Sequence, residues 1–285
     1  NLMAAFGLVV AMVEVSRKKY AFLDKDIFVI GIIALLVSLA GLLAVVYNET
    51  PDYTYATYLR PFFIWFFSAY FVVAVIKKLH GKVGVEMICN YLVLLCVLQC
   101  ISVLLIDNHS GFKNWTDSTF IGLTYASEIK RLYGLGSSLD IGGSRFAAVL
   151  LMIGYMLTLD KVTKNVKLMY MYILSFLFIL VVGSMVGPTT SVGGGIALLF
   201  MFWKNKELLF SPKNQKFLIT FLFILMLGLI ISIYYYNNNE GFRENVRFAF
   251  EGFFNWRETG EWKTTSTDRW KTMIIWPDNM KTWLI

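Results

Sequence analysis

Charge is scarce in this chain of 285 residues: 16% are Asp, Glu, Lys or Arg, against 57% that are apolar. Soluble domains carry about 25% charged residues, so this share, with a mean hydropathy of +0.61, excludes an ordinary water-soluble fold and makes lipid the expected solvent. Histidine is nearly absent. His80 and His109 sit in different loops without ligand companions at useful spacing, so no metal and no other cofactor is implied. Cysteine is almost as rare, and Cys89, Cys96 and Cys100 fall in a single apolar run. That placement fits neither a zinc site nor a disulfide framework, and packing side chains in a spanning helix are expected. A cleavable leader is missing too. The chain starts on Asn1 and closes on Trp283, Leu284 and Ile285, so both ends are expected to be trimmed, with further helices to follow.

What is present is a series of apolar runs, over residues 2–15, 27–47, 61–76, 84–106, 144–159, 168–186, 191–203 and 217–236. A helix needs about 20 apolar residues to cross the hydrocarbon core, and the first and seventh runs are short of that. A barrel would show alternating segments of about 10 residues, and open sheet edges cannot cross lipid unpaired. The expected fold class is therefore all-α, a polytopic transmembrane helical bundle. No repeat or interdomain linker stands out, so residues 1–285 read as one membrane domain.

Basic residues set the orientation, because Lys and Arg stay on the cytoplasmic side. Arg17, Lys18, Lys19 and Lys25 precede the second run; Lys77, Lys78 and Lys82 the fourth; Lys161, Lys164 and Lys167 the sixth; Lys204, Lys206, Lys213 and Lys216 the eighth. These loops alternate with the others in one register. The net charge of +7 is thereby a matter of topology, and no nucleic acid is implied as a partner. The bilayer is. Loops 48–60, 107–143, 187–190 and 237–284 fall on the outer face, and those at 107–143 and 237–284 are too long to be simple connectors. The latter contains an expected amphipathic helix from Glu240 to Trp256, with Phe242, Val246, Phe250 and Phe253 toward the membrane and Arg243, Arg247 and Glu251 on another face. It either rests on the bilayer or contacts substrate.

The informative cations are those left outside, since topology does not explain them. Arg145 begins a helix in Gly142-Gly143-Ser144-Arg145, and Arg60 begins another before Pro61. An arginine at that depth either snorkels or meets an anion. Residues 130–138 add Lys130, Arg131 and Tyr133 within a glycine-rich stretch. Guanidinium groups bind phosphate oxygens bidentately and glycine lets backbone amides approach them, so a diphosphate cradle stands beside the simpler reading of a loop leading into a helix. The turn containing Gly187, Pro188, Thr189 and Thr190 reads first as a tight hairpin allowing close helix packing, and second as a source of hydroxyls for a polar head group. Trp115, Trp256, Trp262, Trp270, Trp276 and Trp283 lie on the same face, as sugar-stacking platforms or as an interfacial belt.

Three segments together resemble the bacterial O-antigen and capsular polysaccharide polymerase family, which shares an architecture with the O-antigen ligases: RLYGLGSSLDIGGSRFAAVLL at 131–151, GSMVGPTTSVGG at 183–194 and WKTTSTDRWKTMIIWPDNMKTWLI at 262–285. The resemblance covers roughly residues 60–285, and the third segment is its most specific part. Pro188 stands where many members carry an arginine, so no cationic role is carried to that position.

The resemblance implies a fold like the type C glycosyltransferases with two long outer loops, in a bacterial inner membrane with the working face periplasmic. It implies metal-independent, inverting transfer between undecaprenyl-diphosphate-linked glycans, with a chain-length regulator as protein partner. Carried to matching positions, Arg131 and Arg269 face the lipid diphosphate and Arg145 assists. Lys130, Tyr133, Arg60, Thr189, Thr190, Arg243, Arg247 and Trp270 then become the expected substrate-binding residues. Glu128, Asp140, Asp268 and His109 are the outer-face candidates for a general base, which can also lie beyond Ile285. The nearest rival is the ligase that moves finished glycan to lipid A core. A flippase of lipid-linked sugars belongs to another class, and would place charges at mid-bilayer, where these runs carry almost none.

Overall fold

The computed structural model describes residues 1–17, 25–119, 132–135, 139–204 and 215–273. Among them there is no β-strand. The helices are α1 Leu2–Ser16, α2 Lys25–Asn48, α3 Leu59–His80, α4 Val85–Asn108, α5 Ser110–Thr119, α6 Leu139–Met156, α7 Asp160–Thr163, α8 Val166–Val186, α9 Thr189–Lys204, α10 Gln215–Asn238, α11 Glu240–Ala249, α12 Glu251–Thr259 and α13 Thr265–Met273. All eight apolar runs are helical. Among the described residues, four helices, α2, α3, α4 and α8, are long and apolar enough to cross a membrane. The shortfall of the first and seventh runs persists, since α1 has 15 residues and α9 has 16, a rise of about 22–24 Å against about 30 Å of hydrocarbon.

Side-chain exposure points to the same solvent. On α2, Phe28 is 69%, Leu43 66% and Val46 69% exposed. In water such a face would be an outsized apolar patch; against acyl chains it is an ordinary surface.

The chain divides into two compact units, one of residues 1–84 with 272–285 and the other of residues 85–271. In the first, α1 packs on α3. Gly7 lies so close to Phe67 that any side chain there would strike its backbone. The Phe6 and Phe71 rings stack with centroids 5.6 Å apart, and the Tyr70 hydroxyl donates to Glu14. Ser38, in the middle of α2, accepts the Leu59 amide at 2.8 Å, which satisfies one of the orphan N–H groups that every helix start leaves. Gly81 ends α3 in the left-handed region, at φ 74°, a conformation that costs glycine nothing.

In the second unit α8 is the central helix, packed against α4, α6, α9 and α11. Over half of its apolar stretch, 56%, is buried, against 6% for α3. Tyr172, Phe176 and Ile173 of α8 meet Phe146, Leu150 and Ile153 of α6 in one core. The α6–α9 contact is built from small residues: a Cβ on Gly193 would stand 2.3 Å from that of Ala147, and one on Gly143 would stand 3.1 Å from the Gly187 Cα. Without a hydrophobic drive between helices in lipid, close backbone approach supplies the packing.

The two ends of α8 are fixed differently. At its start, Asn165 caps the helix by accepting the Leu168 amide at 3.2 Å, and Lys161 meets Glu86 of α4 at 2.9 Å. Its far end enters the turn at Gly187.

Candidate functional site

The site is built from the end of α8 that carries this turn. The Thr190 hydroxyl is fully buried and donates to the Gly183 carbonyl at 2.9 Å and the Gly143 carbonyl at 3.3 Å. It thereby ties the first turn of α9 to the end of α8 and the start of α6. The Ser191 hydroxyl donates to Ser184 at 2.8 Å. Thr189, beside it, is exposed. The expected tight hairpin is present, and the Thr190 hydroxyl is committed to backbone carbonyls. Two residues beyond Gly143, Arg145 is exposed on the second turn of α6, so its guanidinium belongs to the same end of the bundle.

The first long loop, residues 107–143, contributes to this end. Residues 110–119 form the amphipathic helix α5, with Thr116 buried and Phe112 packed on Ile106 and Tyr133. Tyr133 is 3% exposed, and its hydroxyl donates to Asp117 at 2.5 Å. The Leu135 amide donates to Ser102 of α4 at 3.2 Å. Asn90 of α4 accepts from Tyr172 of α8, and twelve residues further along each helix, a rise of about 18 Å, Ser102 comes level with Ser184. Tyr133, Asp117 and Ser102 therefore lie toward the same end of the unit as Arg145 and the Thr189–Thr190 pair. Lys130 and Arg131 lie outside the described residues, as does Glu128.

The described part of the second long loop, up to residue 273, is folded into the helices α11, α12 and α13. Asn239 starts α11 by accepting the Phe242 amide at 2.9 Å. Phe242 and Val246 pack against the bundle core; they are a docking face on α8 rather than a face toward lipid. The helix expected to run from Glu240 to Trp256 breaks at Phe250, at φ −122° and ψ 32°. Beyond the break, Phe250 and Phe253 are exposed, at 48% and 46%. The break folds α12 back so that Arg247 meets Glu258 at 2.8 Å while its guanidinium lies 5.0 Å from the Phe254 ring centre. The Phe254 ring also stacks on Tyr236 of α10, 6.0 Å away. Hydrogen bonding to Glu258 and Tyr236 raises the Arg247 pKa, and the hydrogen bond from Arg247 holds the Glu258 carboxyl below the usual carboxylate range.

The remaining expected residues are dispersed. Arg243 pairs with Glu240 at 3.5 Å. Trp270 on α13 is 72% exposed. Arg269 lies on the same helix with its side chain outside the described residues. Arg60 begins α3 in the other unit and is exposed. Of the base candidates, Asp268 faces Lys263 at 3.8 Å, and His109 is exposed between α4 and α5. Asp140 has its side chain outside the described residues.

Asp117 and Ser102 were not legible as site residues. The available signal was the i, i+4 spacing of Phe112 and Thr116, which marks a helix with one packed face inside the supposed loop.

No protein-family model matches the chain, and neither a curated protein nor a solved structure matches it.

Proposed function

We propose that the chain is a membrane glycosyltransferase that joins undecaprenyl-diphosphate-linked oligosaccharides into polysaccharide, working at the periplasmic face of a bacterial inner membrane. The observation that carries this reading is the convergence at one end of the 85–271 unit. An exposed arginine, Arg145, sits beside a hairpin locked by Thr190, and residues 132–135 are clamped to α5 through Tyr133 and to α4 through Leu135. Arg131 precedes Tyr133 by two residues in sequence.

In the proposed reaction a hydroxyl of the acceptor glycan attacks the anomeric carbon at the reducing end of the donor chain. The new glycosidic C–O bond forms as the bond from that carbon to the lipid diphosphate breaks, with inversion. The hydroxyl proton passes to a base, and the diphosphate leaves with the bonding pair. Arg131, Arg269 and Arg145 neutralise the charge growing on the leaving oxygens, a stabilisation stronger in the transition state than in the bound substrate. Guanidinium suits this better than ammonium, because its planar fork matches two phosphate oxygens at once.

The test is the glycan ladder of cells that depend on this chain for polymer. Arg131→Ala or Arg269→Ala removes chain growth, leaves single repeats attached to the lipid core and leaves membrane insertion intact. A normal ladder from both variants overturns the reading. Loss of all attached glycan assigns the chain to the ligase reaction instead.

A further inference from the structure

In the unit formed by residues 1–84, α2 and α3 do not pack along their whole shared length. They close at one place, where Ser38 accepts the Leu59 amide at 2.8 Å and a Cβ on Gly41 would stand 2.6 Å from the Ala56 nitrogen. Toward the start of α2 they part. A Cβ on Gly31 would meet nothing within 4 Å, and a cavity of about 650 Å³ opens there. This volume is in the range of pockets that bind small molecules, about 300–1,000 Å³. Its walls include Phe28, Gly31, Phe62, Phe66 and Phe67, and among the described residues Lys25 is the one polar residue that lines it.

We propose that this groove holds one acyl chain of an anionic glycerophospholipid, with the lipid phosphate on Lys25. Three observations carry the assignment. First, the walls are apolar, so water gains nothing there, and an empty groove would forfeit dispersion contacts along both helices. Second, the groove runs from Lys25 to Leu35, a rise of about 15 Å. That is half of a hydrocarbon core of about 30 Å, the depth of a single leaflet, and Lys25 stands at the end where a head group lies. Third, the sequence leading into α2 carries Arg17, Lys18, Lys19 and Lys25 against Asp24 and Asp26, an excess of positive charge that favours an anionic head group in the leaflet where α2 begins. The closure at Ser38 and Leu59 ends the groove. The inference is independent of the glycosyltransferase reading.

The test is native mass spectrometry of the full chain released from nanodiscs of equal parts phosphatidylglycerol and phosphatidylcholine. The wild-type chain retains one phosphatidylglycerol, preferred about fivefold, as one lysine near an anionic surface provides. Gly31→Trp fills the groove and loses the retained lipid. Gly228→Trp, at another open glycine outside the groove, keeps it. Lys25→Gln retains a lipid but no longer distinguishes the two head groups. A wild-type chain without head-group preference overturns the proposal, as does a folded Gly31→Trp chain with an unchanged lipid complement. Recovery of a polyprenyl phosphate in place of the glycerophospholipid also overturns it. Should Gly31→Trp fail to fold, the Lys25→Gln comparison decides alone.

Discussion

The buried hydroxyl of Thr190 donates to the carbonyl of Gly143, 47 residues earlier in the chain, at 3.3 Å, and shares its proton with Gly183 at 2.9 Å. One side chain thus fixes the ends of three helices where Arg145 emerges. Thr190→Val keeps the shape and removes the donor, and about 1–2 kcal/mol of stability goes with it, the cost of leaving buried polar groups without a partner. Thr190→Ser keeps the donor and stays closer to wild type, whereas Thr189→Ala, at an exposed position, leaves stability unchanged. Thermal unfolding of the purified chain in detergent reads all three.

Helix contact between α6 and α9 depends on the missing side chain of Gly193. A Cβ there would stand 2.3 Å from the Ala147 Cβ, while one on Gly195 would meet nothing within 4 Å. Gly193→Ala therefore forces the two helices apart and destabilises by about 1–3 kcal/mol. Gly195→Ala, two residues away in the same helix, is neutral or stabilising by up to about 1 kcal/mol, because alanine is the better helix former. Equal unfolding temperatures for the two variants would contradict the packing described.

Arg247 and Glu258 hold α12 against α11 across the break at Phe250, in an exposed ion pair of 2.8 Å. The Glu258 carboxyl is lowered by its bond to Arg247. The stabilisation is therefore complete above the ordinary glutamate value of about 4.3 and is lost as pH falls through the lower folded value. Hydrogen exchange at residues 251–259 should rise in that acid window, and added salt should weaken the contact at neutral pH. In Glu258→Gln the exchange is already faster at neutral pH and the acid step is gone.

The all-helical class was legible in the sequence, because a lipid solvent imposes a single rule on the backbone: each apolar run must satisfy its own hydrogen bonds and becomes a helix. The helices fall on all eight runs, from α1 at Leu2–Ser16 to α10 at Gln215–Asn238. The segments between the apolar runs were less legible, since their structure depends on tertiary contacts. The α5 helix is made of Ser110, Thr116, Thr119 and similar weak helix formers, and is held by Tyr133 and Ile106 rather than by propensity. Likewise the heptad-like spacing of Phe242, Val246, Phe250 and Phe253 reads as one continuous stripe. Only the first two residues find the core, and the ring contacts of Phe254 with Tyr236 and Arg247 accompany the fold-back of the rest. Nothing in a linear pattern separates those outcomes. The same holds for Thr190, whose hydroxyl looked as available to substrate as that of Thr189 until Gly143 was placed beside it.

Arg145 is the described residue on which the charge argument can be separated from stability. It is exposed, so Arg145→Ala and Arg145→Lys both leave unfolding close to wild type, while glycan polymer falls in both and recovers only partly with lysine, which lacks the planar fork. Full activity in Arg145→Ala would remove it from the reaction.

The most direct measurement is chain growth by the purified protein, reconstituted in liposomes with a synthetic undecaprenyl-diphosphate-linked repeat unit and a metal chelator. The account predicts a ladder of lengthening glycans with release of undecaprenyl diphosphate, and loss of both in Arg131→Ala. No growth from an intact wild-type protein, or growth that requires a divalent metal, would contradict it.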